Sequence, residues 1–159
     1  MWDAPVLGSH LPIPVKEEPM QMIDNRPAWT TVAVLIGRLV FAAIFAMAVS
    51  FKLTGIGATA GYIAAAGFPM PMLLAWLAVL LELALVVCFL SGAYFSEAAL
   101  VAAAYVIFLA FAFHGPSHWA ANQDEFGFFT DHFTFMAGLL FAAAQGPGRF
   151  AMHRRLIAK

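Results

Sequence analysis

The chain has 159 residues, 63% of them hydrophobic and 11% charged, with a formal net charge of -1 and a mean hydropathy of +0.85. A soluble domain carries about 25% charged residues, so this composition belongs to an integral membrane protein. It offers no basic surface for nucleic acid, and no P-loop or GxGxxG spacing gives a warrant for nucleotide binding.

The first 28 residues are mixed in charge and punctuated by Pro5, Pro12, Pro14, Pro19 and Pro27, which preclude a continuous helix. They do not read as a secretory signal, so this extended tail is expected to stay on the mature protein. The plain reading of such a tail is disorder; the alternative is docking on another subunit, with Trp2, Val6, Leu7, Leu11, Ile13 and Met20 as the expected anchors. Four membrane spans follow at residues 29–51, 71–90, 96–113 and 126–145, each near the roughly 20 residues needed to cross about 30 Å of hydrocarbon. The fourth needs Phe126 to His132 to reach full length, because Phe133 to Ala144 alone covers only about 18 Å. Asp131 and His132 are thereby drawn into the outer bilayer, where they should face protein or water. Between the first two spans, Thr59 to Ala66 is expected as a short interfacial helix, closed by Gly67-Phe68-Pro69-Met70-Pro71. Gln145-Gly146-Pro147-Gly148 ends the fourth span, and residues 149–159 form a basic tail. The predicted fold is an all-α, integral membrane four-helix bundle over residues 29–148.

Lys16, Arg26, Arg149, Arg154, Arg155 and Lys159 flank the bundle, while residues 115–131 carry no Lys or Arg. The positive-inside rule then places both termini in the cytoplasm. Cys88 is the lone cysteine, which excludes an intramolecular disulfide, a CxxC pair and a cysteine-ligated cluster.

Arg38 and Glu82 are each the only charge within a long apolar run. Arg38 lies about 14 Å from the cytoplasmic start of span one, and Glu82 about 12 to 15 Å from the cytoplasmic end of span two. Tyr105 reaches the same level in span three, so a buried Arg38, Glu82 and Tyr105 cluster is expected. Its plainer role is to set helix register, with proton relay or substrate contact as the functional alternative.

Lys52 follows Arg38 on one stripe through Ala42, Phe45 and Val49, about 21 Å further out. His114, Asp131 and His132 lie at that end too. The plain reading of Lys52, His114, Asp131 and His132 is interfacial polarity. The alternative is a quinone or small-acid site, with Lys and His as donors, Asp131 orienting a histidine, and phenylalanines as an apolar wall. Metal or haem ligation by His114 and His118 is disfavoured by Gly115-Pro116 between them, and no metal site is assigned.

The order Arg38, a Phe-rich run, Lys52, Gly67-Phe68-Pro69, Glu82, Gly92, His114 and Gly138 before Gln145-Gly146-Pro147-Gly148-Arg149 resembles the DoxX family of small four-helix bacterial membrane proteins. The resemblance covers Val34 to Arg149. It implies a bundle in the bacterial inner membrane associated with redox systems, which in some members include a quinone-reducing oxidoreductase and an oxidative-stress complex. Two functions are then open. One is a noncatalytic accessory subunit of a respiratory or photosynthetic electron-transfer complex, docked by its tail. The other is the membrane component of a quinone-linked oxidoreductase fed by a soluble redox partner, with its site at the outer end. The lack of cofactor motifs favours the accessory role.

Overall fold

Apolar runs interrupted by Gly and Pro become helices separated by short breaks. The computed structural model describes residues 27–120 and 122–152. The expected anchors Trp2, Val6, Leu7, Leu11, Ile13 and Met20, and most of the basic tail, lie outside the described residues. Among the described residues the protein is all-α, with α1 (Ala28–Thr54), α2 (Ile56–Ala65), α3 (Pro71–Ser91), α4 (Phe95–His114) and α5 (Asp124–Gln145). One turn of 3-10 helix, Pro116–His118, lies between α4 and α5.

α1, α3, α4 and α5 are long and apolar enough to cross a membrane, α5 being the least apolar. α2 has 10 residues, about 15 Å of helix, half of what a span requires. Pro71 occupies the first turn of α3, where its missing N–H is no loss. Gly92 ends that helix in the left-handed conformation at φ 75°.

Packing is uneven in a way that creates the site. α1 packs chiefly on α3, and α4 on α5, whereas α3 and α4 share few contacts although residues 92–94 join them directly. Ala99, Ala102 and Ala110 on α4 are completely buried, and small side chains of this kind let a neighbouring helix approach closely. Phe41, Phe45, Phe89 and Phe135 form an aromatic cluster with centroid separations of 5.5 to 5.8 Å. α2 lies against α3 beside the α3/α4 gap, with Ile63 and Ala75 buried between them and Phe68 at the edge.

Candidate functional site

Arg38 is 2% exposed and does not pair with Glu82. Its Nε donates to the Phe89 carbonyl at 3.1 Å and its Nη2 to Leu90 at 2.8 Å. Its Nη1 donates to Pro147 at 3.0 Å and also to Phe150. The Gly92 N–H donates to Cys88 at 2.8 Å and the Met152 N–H to Ser91 at 3.0 Å. All four terminal carbonyls of α3 therefore have donors, and a cation sits at the negative end of the helix dipole. The expected Arg38–Glu82 pair fails for a geometric reason. The expectation takes the start of α1 as level with the end of α3, but residues 28–37 run past that end, about 15 Å of helix. Arg38 consequently meets the last turn of α3, while Glu82 lies two turns deeper.

Lys52 takes the place expected for Arg38. Its Nζ lies 2.8 Å from Glu82 Oε1, and the Tyr105 hydroxyl donates to the same oxygen at 2.9 Å. Glu82 is 1% exposed, and its Oε2 has no protein hydrogen-bond partner among the described residues. Helical side chains lean toward the helix N-terminus, so the long Lys52 stem lies back into the bundle from the outer end of α1. The Lys52 backbone thus lies near the α2 end of α1 while its ammonium reaches back to the level of Glu82, not to the end of the bundle where the sequence places it.

Further out, His114 Nδ1 lies 2.6 Å from Glu125 Oε2, tying the end of α4 to the first turn of α5. His132 Nδ1 lies 2.6 Å from the Phe128 carbonyl, and the two imidazole centroids are 5.1 Å apart. Carboxylates and carbonyls only accept, so each Nδ1 carries its hydrogen and each Nε2 is left for a ligand or a proton. Trp119 Nε1 donates to the His114 carbonyl at 2.9 Å and braces the α4–α5 connection. On α2, partial burial raises the Tyr62 phenol above its ordinary pKa, and the Glu125 charge adds to the effect.

Lys52, Tyr105, His114 and His132 line one cavity of about 460 Å³. Its remaining wall is largely apolar, with Ile63, Phe68, Leu77, Leu81, Phe108 and Phe113 among the lining residues. The cavity fills the gap left where α3 and α4 diverge. Leu77 and Phe108 are each half exposed, which puts one wall on the flank of the bundle that lipid would cover. Such a site can bind an apolar ring and offer hydrogen bonds and exchangeable protons to its oxygens.

Asp131 does not join this group. It is exposed and lines a separate groove with Phe41, Ile44, Thr134, Phe135 and Gly138, while His132 borders both spaces. Consecutive helical residues point about 100° apart, so His132 reaches the Lys52 cavity while Asp131 lines only the groove that the two share. The carboxylate beside His114 is Glu125, which the expected site lacked. The signal for it was the acidic first turn of α5, Asp124-Glu125, facing the histidine that closes α4.

The DoxX family model matches residues 33–115. The inner membrane protein YqjF of Escherichia coli strain K12 is 33% identical over 128 residues, covering 80% of this chain and 95% of that protein. The inner membrane protein YphA of the same organism is 30% identical over 128 residues, covering 78% and 90% respectively. No solved structure matches the chain. With over half its length under the family model and nearly the whole length of two relatives aligned, this chain belongs to the DoxX family.

Proposed function

We propose that this DoxX-family membrane protein is the quinone-binding component of a membrane redox system. The observation that carries the reading is the convergence of Lys52, Tyr105, His114 and His132 on one apolar cavity whose wall reaches the lipid-facing flank. A soluble acid would enter from water, whereas a quinone partitions into lipid and arrives from that flank. Its ring would lie against Phe108 and Phe113, and its carbonyl oxygens would accept from Lys52 and from a protonated imidazole. Reduction of a quinone to a quinol consumes two electrons and two protons. The electrons would come from a soluble redox partner, and His114 and Glu125 would lead protons inward from the surface. Both relatives bear the name inner membrane protein. We place this chain in the same kind of membrane, with both termini cytoplasmic as the Lys and Arg distribution favours.

Photocrosslinking tests this reading. A photoreactive short-chain quinone analogue, added to the protein in lipid nanodiscs, should label Tyr62, Leu77 or Phe108, and excess unlabelled quinone should block the labelling. Labelling spread over outward-facing residues such as Phe141, without competition, would remove the reading.

A second role is favoured by Asp131 and Thr134, which are exposed along α5 within a span. Polar groups facing lipid are costly, so this face suits docking to another membrane subunit of the same redox complex. Gentle solubilisation should then copurify a membrane partner that an Asp131→Leu variant loses. Unchanged copurification would reject this face as the contact.

A further inference from the structure

We infer that the cavity takes up an anionic ligand together with one proton, and that Glu82 is where that proton resides. The inference rests on the cavity being a ligand site, as proposed above, and adds how its charge is balanced.

Glu82 is nearly inaccessible to solvent, and both of its observed contacts fall on Oε1. Oε2 is buried without a protein partner among the described residues, an unusual state for a carboxylate oxygen, since buried polar atoms are nearly always hydrogen-bonded. The Lys52 ammonium serves two places at once. It neutralises Glu82, and its side chain, 21% exposed, lines the cavity. The other titratable groups around this space are Tyr105 and His114 on α4, His132 on α5 and Tyr62 on α2. Among the described residues, only Lys52 and Tyr105 hydrogen-bond the Glu82 carboxylate.

An ammonium has three N–H donors, so a neutral carbonyl ligand can accept one of them while the Lys52–Glu82 pair stays intact. An anionic oxygen creates a different situation, with two negative groups sharing one cation in a low-dielectric space. An uncompensated buried charge is removed most readily by protonation. Glu82 is the group prepared for it, because a proton on Oε2 leaves both hydrogen bonds at Oε1 in place. The bound state is then Lys52 ammonium, ligand anion and neutral Glu82, with the same net charge as the empty site. The anion and the proton enter together and leave together.

Infrared difference spectroscopy on the full-length protein in nanodiscs reads this directly. The anionic probe is a hydroxynaphthoquinone, whose enolic proton is already lost at neutral pH, and the neutral probe is a short-chain benzoquinone. Binding of the anion should produce the carbonyl-stretch band of a protonated carboxylic acid, shifted in heavy water and absent in Glu82→Gln. The neutral quinone should bind without that band. Calorimetry in buffers of different ionisation enthalpy should count about one proton taken up per anion and none per neutral quinone. A Lys52→Met variant, deprived of the cation, should carry the Glu82 band before any ligand is added. Anion binding without the band, or a band that persists in Glu82→Gln, overturns the inference while leaving the quinone site standing. A Lys52→Met variant whose Glu82 remains ionised also overturns it. Failure of both probes to bind overturns the site itself and the inference with it.

Discussion

A pair of double-mutant cycles separates the two buried charges. Lys52 and Glu82 share a contact of 2.8 Å with the carboxylate almost fully buried, so removing either partner alone leaves the other charge uncompensated or forces its neutralisation. Breaking a buried pair from one side costs about 3 to 5 kcal/mol. Lys52→Met and Glu82→Gln should each fall in that range, and the double variant should be less destabilised than their sum by about 1 to 3 kcal/mol. Arg38 acts elsewhere. It donates to four carbonyls at the end of α3 and in the segment after α5, and each such bond from a charged donor is worth about 1.5 to 3 kcal/mol. Their sum exceeds the real effect because the segment after α5 relaxes when released, and about 4 kcal/mol is expected for Arg38→Met. Arg38→Lys should recover only part, since an ammonium cannot reproduce the planar fork. Arg38 and Glu82 share no partner, so their effects should add within about 0.5 kcal/mol. Reversible unfolding in mixed micelles, followed by circular dichroism, supplies the four free energies for each cycle. Coupling between Arg38 and Glu82 above about 1 kcal/mol, or none between Lys52 and Glu82, would refute the assignment of partners.

Three further outcomes follow from single contacts. Gly92→Ala places a methyl group 2.4 Å from the Ala151 Cβ at a φ of 75°, so it should cost about 2 kcal/mol or more and speed tryptic cleavage after Arg149. Equal digestion rates in variant and wild type would contradict the docking of that segment. Tyr105→Phe removes one donor from Glu82 Oε1 without opening a cavity, and should lower stability by about 1 to 2 kcal/mol in the same unfolding assay. Glu125→Gln exchanges the charged partner of His114 for a neutral one at a pair whose side chains are 18% and 20% exposed. It should cost no more than about 1 kcal/mol, yet slow quinone reduction in a reconstituted assay with a supplied electron donor. Unchanged turnover would remove the pair from the proton route.

The helices were legible because their signals are local. Apolar length, Pro71 at the start of α3, Gly92 at its end and the break at Gly146-Pro147 each act within a turn of their own position. The short helix was visible too, although it begins at Ile56 rather than Thr59, since Gly55 alone suffices to separate it from α1. What the sequence could not show was the axial offset between α1 and α3. That offset decides whether Arg38 meets a carboxylate or a helix end. Nor could residue spacing show the divergence of α3 from α4, because it arises from how α1/α3 and α4/α5 pair, a property of four helices together.

The same reasoning explains why a lysine rather than an arginine stands beside the cavity. Satisfying the carbonyls of Phe89, Leu90, Pro147 and Phe150 calls for several donors in a fixed plane and a charge that never dissociates, which guanidinium supplies. Balancing Glu82 while lining a cavity calls for one compact cation on a flexible stem, able to share its three donors between carboxylate and ligand. If the chemistry were indifferent to this division, Lys52→Arg would be tolerated. The fork is wider than the ammonium and would crowd the space beside Tyr105, so this variant should keep the Glu82 pair and lose quinone binding. Retained binding with wild-type affinity would show that the cavity does not depend on the shape of its cation.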